Sequence, residues 1–219
     1  ILAAREMGIS ILPVDVNRSV AEFGVEGKNI RFGFNAVKSM GRPTITAIIE
    51  ERTNNGDFHS MQDFITRMAG VINKRTVEHL ILAGAFDTFG NTRRGMMNVY
   101  ERMIDSAVKQ NKDAISGQMS LFDFVSEEDK QSLEMKVPDI QEFEKEDLLE
   151  REKEVLGVYV TGHPLDEYTG MWEKHISARS TDFRIDEETG QAKLMNGSKQ
   201  TIGGLISNIK VITTGSGQQ

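Results

Sequence analysis

The stretch IRFGFNAVKSMGRPTITAIIEER, residues 30–52, reads as a short helix, a tight glycine-containing turn and a second helix. Residues 35–39 give the first helical piece, Met40, Gly41 and Arg42 the turn, and residues 43–52 the next helix. Pro43 suits the first helical position, where a missing N–H costs nothing. A corner of this kind aims backbone N–H groups at one point, and the helix start adds a partial positive charge there. It can hold a nucleic-acid phosphate without reading the base beside it. Lys38 and Arg42 flank the corner, Ser39 and Met40 lead into it, and Thr44 adds a hydroxyl.

The plan returns in residues 75–102, less regularly. Val77, Leu80, Ile81 and Ala83 mark a helical face, residues 84–90 a connecting loop, and Asn91 a cap for a long helix over 92–110. The candidate contacts here are Thr88, Gly90, Asn91, Thr92, Arg93 and Arg94. Two guanidinium groups at a helix start oppose its dipole unless an anion joins them, and phosphate is the natural one. The blander alternative is an ordinary helical packing unit whose glycines serve only φ > 0, with the two arginines solvated.

Outward from these corners, residues 9–12 suit a short strand closed by Pro13, and residues 23–34 a small hairpin. Ser60, with Asp63 three residues on, caps a helix over 61–68. Residues 111–118 turn small and polar, as a linker does. Residues 140–156 form a highly charged helix ended by Gly157, and the acidic side chains of 126–154 make a solvated face. Residues 201–213 alternate enough for a strand.

The net charge of −7 conceals an asymmetry. Residues 28–112 hold 13 Lys and Arg against 8 Asp and Glu, whereas residues 113–172 hold 5 against 16. Partner choice follows local charge, so the helical corners suit an anion and the acidic block does not. With no cysteine, disulfides and thiolate metal sites are excluded, as in a reducing cytoplasm. No apolar run reaches the length of a bilayer span, and no membrane partner is expected. His59, His79, His163 and His175 lack ligand spacing, and no phosphate loop or close aspartate pair is present, so no catalytic or metal residue is assigned.

Gln118, Met119, Ser120, Leu121 and Phe122 place two large apolar side chains on the linker, with Phe124 just beyond. Short linear motifs work this way: an amide orients the peptide while apolar anchors fill pockets on a partner. The alternative is that these side chains fold back onto their own domain.

Several motifs now fall in a recognisable order. They are Met7-Gly8-Ile9 with Leu12-Pro13-Val14-Asp15-Val16-Asn17, then Ile30-Arg31-Phe32-Gly33 and Leu82-Ala83-Gly84-Ala85-Phe86-Asp87. Glu152-Lys153-Glu154-Val155-Leu156-Gly157 and Gly162-His163-Pro164-Leu165 follow. In this order, over the whole chain, the sequence resembles the bacterial DNA polymerase III alpha subunits. The resemblance implies a portion C-terminal to the polymerase palm: residues 1–27 ending the fingers, 28–112 a tandem helix-hairpin-helix domain, 113–172 a linker with clamp-binding motif and acidic helix, and 173–219 the truncated start of an OB domain. The fold is then mainly α with small β elements, the tandem helix-hairpin-helix being followed by the first part of an OB-type β-barrel.

The resemblance further implies sequence-independent contact with the backbone of double-stranded DNA, single-stranded template at the OB domain, other replicase subunits, and docking of residues 118–122 on the sliding clamp. The whole subunit would be a DNA-directed DNA polymerase, a nucleotidyltransferase using Mg²⁺, and this portion would be inactive alone. Ser39 departs from the family's Gly-apolar-Gly pattern by occupying the first glycine, which is tolerable at φ < 0. Two other readings stand beside this one: a repair or recombination factor on branched DNA, and a protein-interaction module with merely structural hairpins.

Overall fold

The computed structural model describes residue 4 and residues 7–115, 135–185, 190–206 and 209–211. They divide into two compact units, Ile1–His163 and Pro164–Gln219.

The first unit opens with a three-stranded sheet in the order β1 (Ile11–Leu12), β3 (Asn29–Arg31), β2 (Gly24–Glu26). β1 runs parallel to β3, with Ile11 opposite Ile30, and β2 runs antiparallel, with Val25 opposite Ile30. Gly27 starts the β2–β3 turn at φ +62°, the left-handed value that two-residue hairpin loops demand and glycine supplies. The domain boundary expected between residues 27 and 28 thus falls inside this hairpin. Residues 7–27 share a unit with the helices because β1 and β2 are the two neighbours of β3.

Residues 13–19 then lie against the helices. Asn17 donates to the Phe58 carbonyl and accepts from the Phe58 N–H, both at 2.8 Å. Arg52 donates to the carbonyls of Val16 at 2.7 Å and Ser19 at 2.6 Å.

The helices follow in order: α1 (Arg42–Asn55), α2 (Met61–Arg67), α3 (Lys74–Leu82), α4 (Arg93–Met97), α5 (Tyr100–Ile115) and α6 (Lys145–Leu156). Side-chain caps set several starts: Ser60 accepts from Asp63 N–H at 3.0 Å and Asn73 from Thr76 N–H at 2.9 Å. Gly157, left-handed at φ +77°, ends α6. The core joins both ends of the unit: Val14, Phe32, Ile48, Phe64, Leu80, Met96 and Val155 all belong to it. Phe58, Phe64 and Phe86 within it, and the half-buried Phe89 against it, form a chain of ring contacts at 5.0, 5.1 and 6.1 Å, each pair contributing about 0.5–1.5 kcal/mol beyond area burial.

Local pattern misplaced five boundaries. The helical piece expected over 35–39 is a single 3-10 turn, Phe34–Ala36. Pro43 stands second in α1, behind Arg42. The helix expected over 92–110 is two: the Asn98 side chain donates to the Arg94 carbonyl at 3.0 Å, competing with the helical ladder, and the chain restarts as α5. Its first cap is Thr92 rather than Asn91. The acidic helix begins at Lys145 rather than 140, because residues 140–142 are engaged by the start of α4, as described below.

The second unit holds a 3-10 turn (Asp166–Tyr168), α7 (Thr169–His175), a second 3-10 turn (Ser180–Phe183) and one β-bridge, Ile185 to Ala192. The strand expected over 201–213 does not form among its described residues. Ser177 N–H donates to the Thr201 carbonyl at 3.0 Å, but Ile202, Leu205, Ile206, Ile209 and Val211 stay exposed. Alternation makes a strand only where a neighbour supplies the ladder, and none does among the described residues.

Candidate nucleic-acid interface

The first corner is built by Val37, a buried anchor, and by two hydrogen bonds that hold the peptide around Lys38. Lys38 N–H donates to the Val155 carbonyl at 2.9 Å, and His79 Nδ1 donates to the Lys38 carbonyl at 2.7 Å. A carbonyl only accepts, so the hydrogen sits on Nδ1. Ser39 then turns the chain at φ +66°, contrary to the φ < 0 expected of a non-glycine there. It is the one non-glycine with positive φ among the described residues, and left-handed backbone costs an L-residue about 1–2 kcal/mol.

The turn delivers Gly41 as the N-cap of α1, extended at φ −81° and ψ 150°, with no side chain to occupy the helix start. Gly41, Arg42 and Pro43 are exposed and Thr44 half-exposed. Ile45 N–H closes the first helical bond to the Gly41 carbonyl at 3.1 Å, which leaves the N–H groups of Arg42 and Thr44 at the open end. No acid pairs with Lys38 or Arg42 among the described residues. This end of a 14-residue helix is open, cationic and uncapped.

The second corner is built differently. Thr92 accepts from Gly95 N–H at 3.0 Å. Ahead of it, the carboxylate of Glu142 accepts from Arg93 N–H at 2.6 Å and from Arg94 N–H at 2.9 Å. The anion that the α4 start asks for is therefore a carboxylate of the same chain. Residues 135–142 bring it there across α4: Met135 N–H donates to Gln62 Oε1 at 3.0 Å, and Thr92 Oγ1 donates to the Ile140 carbonyl at 3.1 Å. Gly95 lets the crossing happen, since a Cβ there would sit 2.6 Å from the Pro138 carbonyl oxygen.

The Arg93 side chain, expected to reach for phosphate, is 3% exposed. Its guanidinium donates to Asp87 at 2.6 Å and to the Leu82 carbonyl at 2.9 Å, and lies 3.5 Å from Glu152. Burial alone would lower its pKa; the hydrogen bonds and charges of Asp87, then Glu152, outweigh that and leave it raised, so it stays a cation. Gly84, left-handed at φ +81°, leaves room for this guanidinium, which any Cβ would strike. Arg93 therefore holds the corner together and is withdrawn from solvent.

Glu152 is fully buried, which corrects the picture of residues 126–154 as a wholly solvated acidic face. It accepts from Val160 N–H at 2.5 Å, Thr161 N–H at 2.9 Å and Thr161 Oγ1 at 2.7 Å. Thr88, Gly90, Asn91 and Arg94 do remain exposed around the second corner, with Thr92 half-buried. Gln118, Met119, Ser120, Leu121 and Phe122 lie outside the described residues.

Sequence reasoning missed Glu142, Glu152 and His79. No short-range signal marks the pairing of the first two with Arg93, which lies 49 and 59 residues away from them. Among the described residues no three His, Asp or Glu converge as a metal cage, and no helix is long and apolar enough to cross a membrane.

Residues 8–96 match the family model of a helix-hairpin-helix motif. Among curated proteins, the DNA polymerase III subunit alpha of Vibrio cholerae is 33% identical over 215 residues, covering 97% of this chain and 18% of its own. That of Chlamydia pneumoniae is 38% identical, with 74% of this chain and 13% of its own covered. That of Thermus aquaticus is 40% identical, with 78% and 13% covered. The chain thus spans less than a fifth of the length of these relatives. Carrying a helix-hairpin-helix motif and aligned over nearly its full length, the chain is a homologue of the bacterial DNA polymerase III alpha subunits.

Proposed function

We propose that this chain is the duplex-gripping and clamp-docking portion of a replicative DNA polymerase, and that its main grip is the first corner. The observation that carries this is the open start of α1 at Gly41, Arg42 and Thr44, with no side-chain cap, flanked by Lys38 and Arg42 with no carboxylate partner among the described residues. Main-chain amides and cations there suit a phosphate oxygen and ignore base identity. The second corner contributes less. Glu142 already fills its helix start, so Asn91 and Arg94, with Thr88 and Gly90 beside them, add contacts at its rim.

The names of the relatives support DNA synthesis by the whole subunit, while its use of Mg²⁺ and its replicase partners rest on sequence resemblance. Clamp docking through Gln118, Leu121 and Phe122, and template contact by residues 173–219, rest on sequence resemblance. Replacing Leu121 and Phe122 by Ala is expected to abolish clamp capture with duplex affinity unchanged; equal loss of both would point to misfolding.

The principal test is a fluorescence-anisotropy titration of the chain with short duplexes of unrelated sequence over a range of salt. Phosphate binding predicts equal affinities among sequences and a fall of about 0.9 log units per log unit of salt for each phosphate neutralised. A flat salt response would reject the grip. Marked preference for a branched duplex would reassign it to a repair factor.

A further inference from the structure

We infer that the phosphate-binding surface continues from the first corner along one stripe of α3, with Arg75 as a further DNA contact. The inference rests on the duplex grip proposed above and names where the footprint goes next.

Two stripes of α3 carry charge, and they have different surroundings. Lys74 and Glu78 share the stripe facing α5. Lys74 donates to Glu101 at 3.2 Å and to Asp105 at 3.0 Å, and Glu78 acts electrostatically on the Tyr100 phenol. Charge on that side is matched within the protein. Arg75 and His79, also four residues apart, share the other stripe, with Cβ atoms about 5–6 Å apart.

His79 is the residue whose ring touches the Lys38 carbonyl at 2.7 Å. That contact sets the second stripe directly beside the first corner and puts Arg75 one helical turn from it. Arg75 is exposed, and among the described residues no acid pairs with it. Lys38, Arg42 and Arg75 therefore form a run of unmatched cations on a chain whose net charge is −7. Arg93, the cation that sequence spacing offers for the next contact, is turned inward and spent on Asp87 and Glu152. A polyanion lying on Gly41 meets Arg75 next.

The test uses the full chain and a short duplex, with Arg75→Ala, Arg75→Lys, Arg42→Ala and Arg18→Ala. Arg18 is the control cation. It is exposed and lies beside residues held by Arg52, ten residues along α1, about 15 Å from its start. Arg75→Ala is expected to weaken binding about tenfold and reduce the salt slope by about 1, with its melting temperature unchanged. Arg75→Lys should keep the slope, and Arg18→Ala should change neither. A wild-type slope in Arg75→Ala, or an equal loss in Arg18→Ala, overturns the inference. Loss in Arg42→Ala without loss in Arg75→Ala would sink only this extension. Indifference of the wild-type chain to salt, or of binding to Arg42→Ala, would sink the underlying grip as well.

Discussion

Truncation of Glu152 to Ala is expected to destabilise the first unit by about 2–4 kcal/mol, the cost of stranding a buried donor and cutting its hydrogen bonds to a charged acceptor. The magnitude follows from what the carboxylate serves. It is fully buried and accepts from two backbone amides, Val160 and Thr161, and from the Thr161 hydroxyl. Arg93 keeps Asp87 and the Leu82 carbonyl, so its charge is not orphaned. The cost comes mainly from the buried Val160 amide, at about 1–3 kcal/mol for a buried donor left without an acceptor, while the Thr161 donors sit on an exposed residue, regain water and add about 1 kcal/mol. Glu152→Gln retains one acceptor oxygen but turns an NH₂ toward Arg93, so about 1–3 kcal/mol is expected. Glu150→Ala, an exposed acid on the same helix, should stay within about 0.5 kcal/mol. Urea unfolding followed by circular dichroism, with unchanged m, measures all three. A loss below about 1 kcal/mol in Glu152→Ala would refute the view that this carboxylate joins α6 to the hairpins.

At the first corner, Ser39→Gly should be neutral or stabilising by up to about 1 kcal/mol while Ser39→Val costs about 1–2 kcal/mol, read from the same unfolding curves. Glu142→Ala removes the acceptor for two α4 amides and should cost about 1–2 kcal/mol; no loss would mean that water replaces the carboxylate freely. The Tyr100 phenol is pushed up to about 12, first by burial and then by Glu78 and Glu101. The folded chain therefore keeps a proton that the unfolded chain sheds near pH 10, so stability should fall as pH rises between about 10 and 12. Tyr100→Phe should remove that fall and one of the three phenolate absorbance steps.

Much of the fold was legible where the physics is local. Ser60 and Asp63 announced α2, Gly157 the end of α6, and the glycines around residue 27 a hairpin, since caps and turns answer to residues within a few positions. Helix length was less legible, because Asn98 breaks a periodicity that apolar spacing alone would extend. The long-range charge pairing was invisible. Arg93 and Arg94 correctly signalled that a helix start wants an anion, but nothing nearby told that Glu142 fills it. Ser39 was legible as an oddity and its backbone sign was not. The sign is set by Val155, His79 and the buried Val37, which fix the chain on its approach to the turn.

The two-way bond between Asn17 and Phe58 bears on how the polypeptide can be dissected. Beginning it at Lys28 would strip the central strand of both flanks, leave the Phe58 amide and the Arg52 guanidinium searching for lost partners, and bare an aromatic wall. A stand-alone hairpin domain trimmed to residues 28–112 would be sticky and half-melted; a workable excision starts upstream of Ile11.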